Sequence, residues 1–176
     1  MITEIQTKRL KLRKMKLSDS ASLFNIWSDP EVTKFMNINS FTDESQAVEM
    51  IKILNNLSLE SKAIRYSIIE LESNRIIGSC GYNSIDSSNA KAEIGYDISK
   101  DYWGKGYAPE AIQSLMDYAF NTLNFNRIEA KVEPENNNSI RVLQKLNYTF
   151  EGTMRKCEKS KGNFIDLCIF SKLVTE

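Results

Sequence analysis

A loop with two glycines contains the first residues in this sequence that could bind a ligand. Residues 103–110 read WGKGYAPE and lie between a predicted strand ending near Ser99 and a predicted helix beginning near Pro109. Small residues let a backbone approach a ligand closely, and the N–H groups at a helix start favour an anion. The loop therefore predicts a pyrophosphate site, although an ordinary strand–loop–helix turn would use the same residues. Its spacing matches neither a Walker loop nor the GxGxxG dinucleotide pattern.

A polar cluster that opens another predicted helix is the second candidate. Residues 136–148 read NNNSIRVLQKLNY and follow a predicted strand over 127–132. One Asn or Ser would cap the helix, and Asn147 suits the left-handed position that ends a helix. Capping does not account for three asparagines and a serine in a row, so the cluster is also a candidate for ligand contact.

Histidine is absent from the sequence, which excludes several kinds of active site. A Ser-His-Asp triad, a Cys-His dyad and a His-ligated zinc are all impossible. A general base must be a carboxylate, a lysine, a tyrosine, a cysteine or a water. The three cysteines, Cys80, Cys157 and Cys168, form no CxxC pair, so we expect reduced thiols and no metal site.

The composition is typical of one globular domain, which we expect to span residues 1–176. Lysine plus arginine number 23, as do aspartate plus glutamate, so no net charge attracts nucleic acid or an anionic membrane. The N-terminus lacks a signal-sequence pattern, and no apolar run approaches the ~18 residues of a membrane span. We therefore expect a cytoplasmic protein with neither a nucleic-acid nor a membrane partner.

Hydrophobic periodicity predicts strands and helices in mixed order. Strands are predicted over 8–15, 63–71, 75–82, 90–99, 127–132 and 164–173, with another beginning at 148–150. Helices are predicted from Ser18 or Asp19 to Trp27, from Pro30, from 42–45, over 109–123 and over 138–146. The basic strand 8–15 is expected at a sheet edge, protected by its charges. The pattern indicates an α/β or α+β sheet covered by helices.

The two motifs, in this order and about thirty residues apart, resemble the GNAT superfamily of N-acetyltransferases. Its acyl-CoA loop reads Gln/Arg-x-x-Gly-x-Gly/Ala, which Gly106 and Ala108 match, with Trp103 in the leading position. A tryptophan there is usual in the RimJ/RimL-type ribosomal-protein N-terminal acetyltransferases. Further stretches similar to that branch are TKRLKLR at 7–13, SDPEV at 28–32, EIGY at 93–96, the N-x-x-S at 136–139, and EGTMR at 151–155 with Asp166 beyond.

This resemblance implies the fold and the cosubstrate. The fold would be a mixed α/β (α+β), mostly antiparallel, twisted sheet of six to seven strands flanked by about four helices. A V-shaped splay between two central strands would receive the pantetheine arm of acetyl-CoA beside Ile98, with no metal involved. The residues implied to bind CoA are Ile98, Trp103, Gly104, Lys105, Gly106, Tyr107, Ala108, Asn136, Ser139, Arg141 and Lys145. A solvated helix face would explain Arg141 and Lys145 equally well.

The resemblance also implies direct acetyl transfer to an amine. Many members carry a tyrosine acid where this chain has Leu143, so the resemblance points to Ser139 as acid and Glu158 as general base, directly or through water. Alternatives are that Ser139 only caps its helix, that Glu158 is one more surface carboxylate, or that Tyr107 or Tyr148 acts instead.

The resemblance leaves more than one class of acceptor amine open. The acceptor is the N-terminal α-amine of a protein, ribosomal by resemblance, or else a small amine such as an antibiotic, a polyamine or an amino acid. A hypothesis of another class is an acyl-CoA-binding sensor without turnover. The protein is expected as a monomer or a homodimer.

Overall fold

The computed structural model describes residues 2–176, and its strands form one mixed sheet. The strands are β1 (Glu4–Gln6), β2 (Leu10–Lys14), β3 (Ile64–Glu70), β4 (Arg75–Asp86), β5 (Lys91–Ile98), β6 (Arg127–Val132), β7 (Thr149–Ser160) and β8 (Asn163–Leu173). Their order in space is β1-β2-β3-β4-β5-β6-β8-β7. The pair β5–β6 is parallel, and the other neighbouring strands are antiparallel.

Helices cover both faces of this sheet. They are α1 (Ser20–Trp27), α2 (Pro30–Thr33), α3 (Glu44–Leu59), α4 (Tyr107–Asn121) and α5 (Asn137–Lys145), with short 3₁₀ turns at Leu17–Asp19 and Lys100–Tyr102. Helix α4 connects β5 to β6, because two parallel neighbours cannot be joined by a tight turn.

The predicted fold class, a mixed and mostly antiparallel α/β sheet, is confirmed. The sheet has eight strands rather than six to seven, because Glu4–Gln6 adds a short strand at one edge. The described residues contain five α-helices rather than about four, and α2 is only four residues long.

The expectation that the basic strand 8–15 lies at a sheet edge is wrong. Strand β2 lies between β1 and β3, with Leu12 opposite both Ile5 and Ile68. Its cations are used inside the fold: Arg13 donates to the Asp19 carboxylate at 2.8 Å. Charge on this strand therefore holds tertiary contacts rather than protecting an edge.

Side-chain caps begin some helices and not others. Asp29 and Asp43 accept hydrogen bonds from backbone N–H groups in the first turns of α2 and α3. Asp19 precedes α1 as predicted but does not cap it, because its carboxylate binds Arg13. The left-handed conformation predicted for Asn147 is confirmed by its φ of 57°.

The core lies on two sides of the sheet. On one side α4 buries an apolar stripe: Ala111, Ile112, Leu115, Met116 and Ala119. On the other side α1 and α3 cover a second cluster: Met15, Leu23, Ile26, Trp27, Ala47 and Ile51. Because helices pack on both faces of the sheet, a ligand site would lie at the ends of its strands.

The splay expected between two central strands is present between β5 and β6. Only Lys91–Arg127, Ala92–Ile128 and Glu93–Glu129 pair across these strands. Beyond the Glu93–Glu129 pair, β5 continues to Ile98 and β6 continues to Val132, but the two strands no longer pair with each other. The two inner edges diverge and leave a slot for an extended ligand.

We expect replacement of Leu115 by alanine to lower the free energy of unfolding by ~2–5 kcal/mol, because it leaves a cavity in the core. Leu115 on α4 is fully buried, at 0% exposure, whereas Leu59 at the end of α3 is 78% exposed. Urea unfolding would measure both changes. Leu59→Ala is the control and should shift stability by less than ~0.5 kcal/mol; equal losses would show that α4 is not the main packing element.

Candidate active site

The loop 103–106 connects the end of β5 to α4 and has the backbone that its glycines predict. Gly104 and Gly106 lie at φ 73° and 80°, in the left-handed region that glycine adopts easily. The indole N–H of Trp103 donates to the Ile98 carbonyl at 2.7 Å. Trp103 therefore anchors the loop to β5, a contact that the sequence does not reveal.

The N–H groups of this loop are available to a ligand. In the described chain, none of the N–H groups of residues 104–108 donates to a protein acceptor. They surround the start of α4, where the helix dipole adds positive potential. Helix α4 begins at Tyr107, two residues earlier than predicted, so Pro109 lies inside its first turn. This arrangement fits a diphosphate.

Arg9, from the segment before β2, holds the loop in place. Its Nε donates to Glu110 Oε2 at 2.7 Å, and its Nη1 donates to the Lys105 carbonyl at 2.9 Å. The guanidinium also lies 4.4 Å from the centre of the Tyr107 ring. Burial would raise the pKa of Glu110, but hydrogen bonds from Thr7 and Arg9 hold that pKa below its usual value.

Tyr107 and Lys105 are both turned toward other protein groups. The Tyr107 hydroxyl donates to the Glu70 carboxylate, and this bond is the main reason that the Tyr107 pKa is raised. The Lys105 ammonium lies 5.0 Å from the centre of the Tyr102 ring. The structure therefore gives Tyr107 a partner away from Ser139 and Glu158.

The second motif forms the opposite wall, at the start of α5. Asn136 Oδ1 accepts from the Ser139 N–H at 3.2 Å, so Asn136 is the residue that caps this helix. The alternative that Ser139 serves only as the cap is wrong. The Ser139 hydroxyl instead accepts a hydrogen bond from the Tyr96 hydroxyl at 3.0 Å. Arg141 and Lys145 lie four residues apart on the exposed side of α5.

One cavity of about 340 Å³ brings the predicted catalytic residues together. Asn136, Ser139 and Glu158 all line it, as does Leu143. Its apolar wall comes from α1, the segment after α2, and α3: Trp27, Phe35, Met36, Ile38, Met50 and Leu54. The cavity lies where β5 and β6 have separated, so a group held in the slot would reach Ser139.

Glu158 is held by a residue distant in sequence. Asn37 Nδ2 donates to Glu158 Oε1 at 3.0 Å and to the Lys159 carbonyl at 3.3 Å. Nearby, Lys161 Nζ donates to the Thr33 carbonyl at 2.7 Å. These bonds tie the β7–β8 hairpin to α2 and to the segment after it. Glu158 is half-buried and lines the cavity, unlike an ordinary surface carboxylate.

Carboxylates that are not among the candidate site residues also line the same cavity. Glu93 binds Lys131 at 2.7 Å, and the buried Asp97 accepts from Arg65 at 2.9 Å. Glu133 is different, because burial raises its pKa and Glu158 repels its charge, against the opposing effect of Lys161. Its place at the end of β6, just before the Asn136 motif, is the signal that could have identified it.

Within residues 2–176, no helix is both long enough and apolar enough to cross a membrane. The same residues contain no group of three or more Cys, Asp or Glu side chains arranged to hold a metal ion.

Residues 9–149 match the acetyltransferase (GNAT) domain family. The chain belongs to the GNAT family. It is 56% identical to the uncharacterized N-acetyltransferase p20 of Bacillus licheniformis, over 98% of this chain and 97% of that protein. The GNAT assignment and the relatives named N-acetyltransferase identify an enzyme, so the hypothesis of a sensor without turnover is no longer needed.

Solved structures agree with this assignment. The microcin C7 self-immunity acetyltransferase MccE, solved with acetyl-CoA and AMP, has a TM-score of 0.88 at 25% identity and covers 98% of this chain and 97% of its own. The ribosomal-protein acetyltransferase RimL has a TM-score of 0.89 at 22% identity, covering 98% and 95%, and so shares the fold. GNAT enzymes use acetyl-CoA, and the free N–H groups of residues 104–108 fit its pyrophosphate.

We expect Arg9→Lys to raise the KM for acetyl-CoA about tenfold, because lysine cannot reproduce the forked contacts of the guanidinium. The kcat should change by less than about twofold, since Arg9 lies outside the cavity that holds the reacting groups. Steady-state kinetics with acetyl-CoA as the varied substrate would measure both.

Arg13→Lys is the matched control for this change. Arg13 also binds a carboxylate, Asp19, but does not contact the loop. Its replacement should reduce stability without changing the KM for acetyl-CoA. Equal KM values for the Arg9 variant and the unmodified enzyme would show that the loop keeps its conformation without Arg9.

Proposed function

We propose that this GNAT enzyme transfers the acetyl group of acetyl-CoA directly to a primary amine bound in the 340 Å³ cavity. One observation carries the proposal: Ser139 and Glu158, from different parts of the chain, line the same cavity at the open end of the β5–β6 slot. A base and a hydroxyl donor placed around one reacting centre are what amide formation from a thioester requires.

The cosubstrate would follow the elements that lead to this cavity. The N–H groups of residues 104–108 would bind the pyrophosphate, with Trp103 and Lys105 beside it. The pantetheine arm would lie between β5 and β6, near Ile98 and Asn136. Arg141 and Lys145 would meet the nucleotide portion from the exposed side of α5. Acetyl-CoA supplies an activated acyl carbon and a thiol leaving group.

Glu158 would act on the acceptor amine. An α-amine has a pKa of ~7.7–8.0 and a lysine amine ~10.4, so either is partly or mostly protonated near neutral pH. Asn37 occupies Glu158 Oε1, which leaves Oε2 free to accept a proton from the ammonium, directly or through water. The nitrogen then bonds to the acyl carbon as the carbon–sulfur bond breaks.

Ser139 would serve the leaving sulfur. An ammonium acceptor loses two protons in forming the amide. Glu158 takes one and releases it to solvent, and the other reaches the sulfur through the Ser139 hydroxyl. Leu143, in the position of the tyrosine that many relatives use, has no proton to give.

The acceptor proposed first is the N-terminal α-amine of a protein, ribosomal by likeness to RimL, which shares the fold. A small cationic amine is the second candidate. Glu133 and Glu158 place carboxylates in the wall of the cavity, which would attract a cationic amine. Either a small molecule or an extended chain end would fit such a space.

We propose that residues 1–176 work as one acetyltransferase domain in the cytoplasm, as a monomer or a homodimer. Acetyl-CoA and the amine acceptor would be its partners, without nucleic acid or a membrane.

We expect Glu158→Gln to lower kcat by ~10²–10⁴, the usual contribution of a general base. Release of the CoA thiol, followed across pH, would measure the loss. The variant should still be stabilised by acetyl-CoA in thermal unfolding, because the cosubstrate site is intact. The matched control is Glu135→Gln, an exposed carboxylate near the same motif. An unchanged kcat at every pH would remove the assigned role of Glu158.

The acceptor class can be tested with two sets of amines. Peptides that copy ribosomal-protein N-termini form one set, and small mono- and polyamines form the other. Turnover of peptides alone would support the first candidate, and turnover of small amines alone would support the second. No thiol release with either set would contradict both.

A further inference from the structure

Tyr96 is the side chain that reaches Ser139 from across the slot. It lies on β5, whereas Ser139 lies in the first turn of α5, 43 residues later. The Tyr96 hydroxyl donates to Ser139 Oγ at 3.0 Å, and both residues line the cavity. Burial raises the pKa of Tyr96 to about 12, so its phenol keeps its proton and remains a donor at neutral pH.

The bond from Tyr96 determines what the Ser139 hydroxyl can still do. A serine hydroxyl has one proton and two acceptor lone pairs. Tyr96 occupies one lone pair, so the serine proton must point elsewhere. A serine within a helix often turns its proton back to a preceding carbonyl. In the described chain, Ser139 Oγ donates to no protein acceptor, so its proton is free for a group in the cavity.

We infer that Tyr96 is a positioning residue that aims the Ser139 hydroxyl at the sulfur of the leaving thiol. The inference rests on the proposed function, in which Ser139 serves that sulfur. Tyr96 fixes the side-chain rotamer of Ser139 and stabilises its oxygen while the serine proton is shared with the sulfur. The serine regains a proton from the acceptor nitrogen as the amide forms, so protons balance and Tyr96 ends the reaction unchanged.

The other tyrosines near the site do not have this geometry. The Tyr107 hydroxyl donates to Glu70. The Tyr148 hydroxyl is buried and has no hydrogen-bond partner among residues 2–176, and burial raises its pKa. Among the tyrosines of the described chain, Tyr96 is the one that donates to Ser139.

The test replaces one hydroxyl group at a time. Tyr96→Phe should lower kcat about tenfold, the effect of losing one hydrogen bond. The KM values for acetyl-CoA and for the amine should stay within about twofold, because the ring remains and binding contacts are kept. Tyr148→Phe removes a buried hydroxyl that has no partner, so it should leave kcat within about twofold.

A double-mutant cycle separates positioning from an independent effect. If Tyr96 acts through Ser139, the variant with both Ser139→Ala and Tyr96→Phe should be no slower than Ser139→Ala alone. Losses that multiply would overturn the inference. Thermal unfolding with and without acetyl-CoA would verify that each variant is folded and binds the cosubstrate.

The kcat values of Tyr96→Phe and Ser139→Ala separate a failure of the Tyr96 role from a failure of the Ser139 role. If Ser139→Ala is slow while Tyr96→Phe matches the unmodified enzyme, the positioning role is wrong and the proposed function stands. If Ser139→Ala retains full kcat, the role of Ser139 fails, and the role of Tyr96 fails with it.

Discussion

The separation of β5 from β6 is the constraint on which the site depends. Three residue pairs hold these parallel strands together, and then their inner edges diverge. The outer edges stay paired, β5 with β4 and β6 with β8, so the slot is open without weakening the sheet. Backbone groups that would normally satisfy each other therefore face a space that an extended, polar ligand can fill.

The two strands also lead into the segments that carry the candidate site residues. β5 leads into the loop with free N–H groups, and β6 leads into the capped start of α5. Tyr96, on β5 beyond the last β5–β6 pair, donates to Ser139 in the first turn of α5. The residues proposed for binding and catalysis thus lie where the pairing of these two strands stops.

Charge pairs hold the segments around this slot, in a chain whose net charge is zero. Arg9 fixes the loop before α4, and Arg65 with Asp97 supports the floor of the cavity. At the far end, Arg127 binds Glu151, and the hydrogen bond from Arg127 is the main reason that the pKa of Glu151 falls to about 2. Most of these contacts use the forked geometry of arginine, which restricts orientation more than a point charge does.

The local sequence predicts most of the strands and helices of this protein and several of its backbone conformations. The alternation in strands such as Arg127–Val132, the apolar stripe of α4, the glycines at 104 and 106, and the left-handed Asn147 all follow from the conformational preferences of neighbouring residues. The short strand Glu4–Gln6 and the inner position of β2 do not, because strand neighbours are chosen by long-range pairing. Contacts between residues far apart came only from tertiary packing: Asn37 with Glu158, 121 residues apart, and Tyr96 with Ser139, 43 apart. A motif identifies the residues able to do chemistry, but the partner that orients each one depends on which distant elements the core brings together.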